Sequence, residues 1–259
     1  MIDIHTHILP GIDDGAANWS DAINMARAAV AEGITTIIAT PHHANGRYHN
    51  TALEVIDHVR HMNEQLKGMG VPLTIQSGQE IRLHHDLIDA WLRKELLPLA
   101  DSSYILIELP SSNIPKKIVE FIHELHVMKL KPIIAHPERN AEIVKDPDRL
   151  AQLIEIGAFA QVTTHSLLGD FGRQIERAAW SLCRSGLIHI VSSDAHHVER
   201  RGFRLGETYE VIRERMGQPW ENYFQDNARR IIEDLPFGSM PKDNPSSVGV
   251  IQRLRSFFR

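Results

Sequence analysis

The sequence has one cysteine, Cys183, in 259 residues. No intrachain disulfide is available, and such cysteine usage fits a reducing compartment. Aromatic residues make up only 6% of the chain. No stretch approaches the ~18 uninterrupted apolar residues of a membrane span. The Met1–His7 opening carries neither a basic n-region nor a long apolar h-region. A cytoplasmic chain without an integral membrane span is expected. Basic residues are not in excess: 28 Lys+Arg stand against 33 Asp+Glu, a formal net charge of -5. That argues against a broad electrostatic footprint for nucleic acid or anionic membrane. No G-x-G-x-x-G follows the first apolar run, and no P-loop occurs, so nucleotide binding on an open sheet loses its usual support.

What remains is ordinary globular composition, 42% hydrophobic and 24% charged. The length suits a single α/β barrel. Continuous apolar runs at 2–5, 35–40, 73–77, 104–109, 132–136, 158–163 and 187–192 read as strands of a parallel sheet buried on both faces. Segments of helical spacing alternate with them at 22–31, 51–67, 86–94, 115–128, 147–156, 174–185 and 206–216. Seven strand–helix repeats predict a distorted TIM-like (β/α)7 barrel, one domain over residues 1–235. Residues 236–259 change character. Pro, Gly and Ser dominate at first, and the last twelve residues carry Arg253, Arg255 and Arg259 without an acid. A short amphipathic helix packed on the barrel is expected there, ahead of a membrane-surface element.

The abundant residue is histidine, sixteen in all. Histidine is the commonest metal ligand. A barrel keeps its chemistry at the C-terminal ends of its strands, and six of the seven expected ends supply a His, Asp or Glu. The first gives His5 and His7, an i, i+2 pair on one side of an extended segment, with Asp13 and Asp14 in the following loop. The second gives His42, the third Glu80, the fourth Glu108, the fifth His136, and the last Asp194 and His196. Each alone has a bland reading. His-x-His arises by chance in a His-rich chain, and Glu108 reads equally as an acid paired with Arg or Lys. Together they would crowd acids and imidazoles at one mouth, which is costly unless cations neutralise them.

The opening MIDIHTHILPGIDDG, Thr40-Pro41-His42, Ala135-His136-Pro137-Glu138-Arg139 and Ser193-Asp194-Ala195-His196 resemble the polymerase-and-histidinol-phosphatase (PHP) superfamily. Within it they are most similar to the manganese-dependent tyrosine-protein phosphatases of bacterial capsule and exopolysaccharide operons. The resemblance runs from Met1 to about Asp234. It implies a PHP barrel binding up to three divalent ions, Mn²⁺ foremost, with Zn²⁺, Fe²⁺ or Co²⁺ as alternatives. Carried over by position, His5, His7, Glu80 and Asp194 would hold one ion. Glu80 would bridge to a second, held with Glu108 and His136. Asp14, His42 and His196 would hold the third. Glu108 matches the phosphatase subgroup, where many superfamily members have His. Arg139 and Arg201 match positions that contact phosphate. The implied substrate is a phosphotyrosine protein, the tyrosine-rich tail of a bacterial kinase that controls polysaccharide synthesis. No nucleic-acid partner is expected; an oligomer is compatible with the sequence.

Three other readings compete. A cysteine-dependent phosphatase needs Cys, five residues, then Arg; Cys183 is followed six positions on by His189 and lies in a helical segment. That reading fails. A small-molecule phosphatase such as histidinol-phosphate phosphatase would keep the metals and change the substrate. A binding module on the same fold would be expected to lose ligands, and here all nine positions are filled.

Overall fold

The computed structural model describes residues 1–242. The basic segment 248–259 lies outside the described residues. The strands are β1 (Ile2–Thr6), β2 (Thr36–Ala39), β3 (His42–His43), β4 (Thr74–Ser77), β5 (Glu80–Arg82), β6 (Tyr104–Glu108), β7 (Lys131–Ala135), β8 (Phe159–Thr163) and β9 (Ile190–Ser192). The helices are α1 (Trp19–Ala31), α2 (Ala52–Gly68), α3 (Leu87–Leu92), α4 (Ile118–Val127), α5 (Ala141–Lys145), α6 (Asp148–Glu155), α7 (Thr164–Leu168), α8 (Arg173–Arg184), α9 (Leu205–Met216) and α10 (Gln218–Ile232). Local chemistry sets several of their starts. Asn18 accepts the Asp21 amide to cap α1, and Thr51 with Glu54 forms a capping box on α2.

All ladder pairings between these strands are parallel, in the orders β1-β2-β4 and β3-β5-β6-β7-β8-β9. The two sheets are one wall broken in the middle. β2 stops at Ala39 and the chain resumes its pairing two residues past Thr40 as β3; β4 stops at Ser77 and resumes as β5. Gly78 permits the second break, because a Cβ there would lie 2.8 Å from the Ile38 side chain. At the far seam, Thr6 bridges Ala195 in parallel. The Asp194 amide donates to the His5 carbonyl at 2.9 Å, and the His7 amide to the Ala195 carbonyl at 2.8 Å. β1 and β9 thus meet, and the seven expected strand positions form a distorted barrel.

Two cores follow from this. The larger packs strands against the outer helices. The smaller gathers Ile4, Ile38, Leu106, Ile133 and Ile190 from five strands with Ala228 and Ile231 of α10. α10 therefore closes the end where the strands begin. Its apolar positions Trp220, Tyr223, Phe224, Ala228 and Ile231 are buried at helical spacing, yet no helix was expected at 218–232. The first residues past 235 also pack on that end. Phe237 lies 4.7 Å from the Tyr104 ring and 4.5 Å from that of Phe159. The opposite end is left to the strand C-termini.

Candidate active site

The broken wall places the first pair. His42 and Glu80 are register partners of β3 and β5, and His42 Nδ1 lies 2.9 Å from Glu80 Oε2. The β1 end brings His5 and His7 to the same point. Their Nε2 atoms are 3.3 Å apart. The loop after β1 folds back on His7 so closely that a Cβ on Gly15 would lie 1.9 Å from the His7 carbonyl oxygen, which admits only glycine. His136 and Asp194 follow β7 and β9 in left-handed conformations, φ 31° and 56°. For residues other than glycine such conformations carry strain, which clusters at functional sites.

Three groups of donor atoms result: His5, His7, Glu80 and Asp194; His7, Asp14, His42 and His196; and His42, Glu80 and Glu108. All nine residues expected from the sequence stand at one mouth. Two groupings differ from those carried over by resemblance: His7 joins Asp14, His42 and His196, and His42 rather than His136 stands with Glu80 and Glu108, while His136 Nε2 lies 2.7 Å from the other Glu80 oxygen, Oε1. Glu108 also has the partner of its bland reading, since Arg82 Nη1 lies 2.9 Å from Oε1.

The geometry fits metal ions. His5 Nε2 and His7 Nε2 each lie 3.3–3.4 Å from Glu80 Oε2 and Asp194 Oδ1. Donors about 2.0–2.1 Å from a tetrahedral ion stand about 3.3–3.4 Å from one another. Asp194 Oδ1 and Glu108 Oε2 are buried without a hydrogen-bond partner, and the close approach of Glu80 Oε2 to His42 Nδ1 is not aligned as a hydrogen bond. Such orphans are expensive unless a cation satisfies them. The donors are imidazole and carboxylate without thiolate, a set that suits Mn²⁺, Zn²⁺, Fe²⁺ or Co²⁺.

The electrostatics are those of a site arranged for charge. Burial raises the Glu80 carboxyl, but His5, His42 and His136 hold it well below the ordinary range. Asp194 is likewise held low against its burial by Arg201, His5 and Arg139. His196 holds the Asp14 carboxyl down. Burial pushes the His196 imidazole itself to about 4, so it is neutral near pH 7 and able to ligate. Two side chains outside the nine orient them. Asp13 Oδ2 lies 2.7 Å from His7 Nδ1, and Gln161 Oε1 lies 3.1 Å from His5 Nδ1. Sequence reasoning gave neither a role. Asp13 offered a signal in its adjacency to Asp14; Gln161 offered none.

Arg139 and Arg201 converge on the outer oxygen of Asp194. Arg139 Nη1 donates to Oδ2 at 2.7 Å, and Arg201 Nη2 donates to the same atom. Both line a cavity of about 180 Å³ with Asp14, His42, Glu80 and Glu108. The Nε of each is buried without a partner. Tyr48, from the loop after β3, stacks 6.2 Å from the His42 ring at 6°. His43 and His197 do not line this cavity: His43 is buried on the Asn50 carbonyl, and His197 is exposed. Cys183 is fully buried in the larger core, and burial pushes its thiol up.

The same chain matches a family model described as "Capsular polysaccharide synthesis, CpsB/CapC" over residues 1–233. It belongs to the CpsB/CapC family. Tyrosine-protein phosphatase YwqE of Bacillus subtilis (strain 168) is 42% identical over 241 residues, which cover 93% of this chain and 95% of that protein. A putative tyrosine-protein phosphatase CapC of Staphylococcus aureus is 41% identical over 211 residues, 81% of this chain and 82% of that one. A solved structure from work on YwqE of Bacillus subtilis and CpsB of Streptococcus pneumoniae, called there unique metal-dependent tyrosine phosphatases, superposes with a TM-score of 0.90. It is 41% identical and covers 93% of this chain and 98% of its own. Among the described residues no helix is long and apolar enough to cross a membrane.

Proposed function

We propose that this protein is a metal-dependent tyrosine-protein phosphatase that uses manganese, and that its substrate is the phosphorylated tail of a tyrosine kinase governing capsule synthesis. The observation that carries the reading is the convergence of nine imidazole and carboxylate side chains with two arginines at one barrel mouth, in a CpsB/CapC chain. Bound divalent ions supply a water acidic enough to attack near neutral pH, and charge that neutralises phosphoryl oxygens.

The chain's own residues do the rest. His5, His7, Glu80 and Asp194 form the deepest ligand set, all buried. Asp14, His42, Glu108, His136 and His196 complete the mouth. Arg139 and Arg201 hold the phosphoryl group through donors that Asp194 leaves free, an arrangement suited to developing charge. Asp194 aligns both guanidiniums and turns its other oxygen to the ligand set. Tyrosine leaves as a phenolate whose conjugate acid has a pKa of ~10, so little protonation is required. A cavity sunk in the mouth favours phosphotyrosine, whose phosphate stands further from the backbone than that of phosphoserine. Tyr48, with Arg47 over its ring at 5.0 Å, offers a wall beside His42.

The test is turnover by chelated protein reloaded with Mn²⁺, Zn²⁺ or Co²⁺, on phosphotyrosine peptide, phosphoserine peptide and histidinol phosphate. Restoration by Mn²⁺ and the highest kcat/KM on phosphotyrosine are expected. Full activity without metal would sink the mechanism. A tenfold preference for histidinol phosphate, ~1.4 kcal/mol of transition-state stabilisation, would move the protein to a small-molecule phosphatase.

A further inference from the structure

Away from the catalytic cavity, α8 and α9 enclose a surface groove of about 350 Å³ lined by Arg173, Glu176, Arg177, Trp180, Arg184 and Arg215. Four guanidiniums share it with one carboxylate, in a chain whose net charge is -5. Glu176 Oε1 lies 3.5 Å from Arg215 Nη1. Arg173 and Arg177 have no carboxylate partner among the described residues; Arg177 Nε donates instead to the Arg173 carbonyl.

Helix stability explains only part of this charge: Arg184 and Arg215 lie in the last turns of α8 and α9, where the helix dipole favours a cation. Arg173 stands in the first turn of α8, where the helix dipole disfavours a cation, and Gly172 supplies no side-chain cap. The groove is also ordered by packing. Trp180 is buried, and its ring carries the Arg215 guanidinium at 4.7 Å and that of Arg184 at 5.9 Å. The groove begins beside the mouth. Phe171, two residues before Arg173, lies 4.5 Å from the Arg139 guanidinium and 5.8 Å from that of Arg201.

We propose that this groove docks an acidic stretch of the same polypeptide whose phosphotyrosine enters the cavity. The proposal rests on the phosphatase reading above and names a feature of its substrate. Forked guanidiniums match carboxylates in pairs. α8 extends about 18 Å from Arg173. An extended peptide advancing ~3.3 Å per residue would run that length in about five to six residues, so its acids would stand within the first several positions from the phosphotyrosine. Exposed pairs are individually weak and screened by salt, so the effect should come from several together and fade at high ionic strength.

The experiment compares two phosphotyrosine peptides, one with Glu and one with Gln at positions three to eight on both sides of the phosphotyrosine. Each is assayed with the Mn²⁺-loaded protein and with the double variant Arg173→Glu/Arg177→Glu, at 50 and 500 mM NaCl; p-nitrophenyl phosphate serves as the peptide-free control. About a tenfold higher kcat/KM is expected for the Glu peptide, falling at high salt and lost in the variant, with p-nitrophenyl phosphate turnover unchanged. Equal kcat/KM for the two peptides, or a preference that survives the variant, overturns the proposal. Fluorescence anisotropy of the unphosphorylated Glu peptide provides a second reading. Binding weakened by the variant supports the groove; no binding, or equal binding of an oligonucleotide of matching charge, overturns it. Wild-type protein that hydrolyses neither phosphopeptide strikes the phosphatase reading, and the anisotropy then decides the groove alone.

Discussion

Asp13 Oδ2 sits 2.7 Å from His7 Nδ1, and this contact decides which nitrogen of His7 faces the ligand set. A carboxylate accepts, so Nδ1 carries a proton toward Asp13 and Nε2, 3.3 Å from Glu80 Oε2 and Asp194 Oδ1, is the nitrogen left to face a cation held with them. Asp13 also accepts the amides of Gly15 and His42 at 2.9 and 3.2 Å. One side chain therefore ties the first loop, His7 and His42 together. Asp13→Ala should weaken metal affinity by roughly 10–100-fold. Calorimetric titration of chelated protein with Mn²⁺ would check it. Unchanged affinity would make Asp13 a loop residue only.

Arg139 is expected to matter for phosphate rather than for metal. Arg139→Ala leaves Arg201 on Asp194 Oδ2 and leaves Oδ1 facing His5 and His7. Metal content by elemental analysis should stay at the wild-type value. The fall in kcat/KM on a phosphotyrosine peptide should be about 10²-fold, the scale of losing one donor to developing charge. A parallel loss of metal would recast Arg139 as a support for Asp194.

Cys183 should be dispensable for turnover. It is buried among the larger core's side chains on α8, and its thiol is held protonated. A nucleophilic cysteine needs the opposite environment. Cys183→Ser should keep phosphatase activity and lose about 1–3 kcal/mol of stability if the new hydroxyl lacks a partner. A folded, metal-loaded, inactive variant would overturn the metal mechanism.

The strand positions were legible because a doubly covered parallel strand is a continuous apolar run. Ile105, Leu106 and Ile107 are all fully buried. The clustered imidazoles and carboxylates were legible because barrel chemistry sits where such runs stop. What the sequence hid was tertiary. β3 has two residues and β5 three, too few to show a period, yet their pairing sets His42 opposite Glu80. That register is why His42 groups with Glu80. Gln161 is 156 residues from the His5 it touches. α10 did carry a helical pattern, but it opens Gln218-Pro219 directly after α9 and Gly217, which reads as a breaker.

His189 gives a pH prediction at the end of the barrel opposite the clustered imidazoles and carboxylates. It is packed against Phe159 at 5.0 Å, and its Nδ1 accepts the Ala160 amide. Burial lowers its pKa from 6.5 to about 4. Above pH 6.5 the imidazole is neutral in both folded and unfolded chains and adds no pH dependence. As pH falls from 6.5 toward 4, the unfolded chain binds a proton that the folded one refuses, so stability drops. Between pH 7.5 and 5 the loss should be about 2 kcal/mol from this residue, at ~1.4 kcal/mol per unit. His189→Gln keeps an acceptor and removes the titration. Urea unfolding of the chelated proteins at both pH values should show the variant losing about 2 kcal/mol less than wild type. The same loss in both would mean that His189 is not held neutral by the fold.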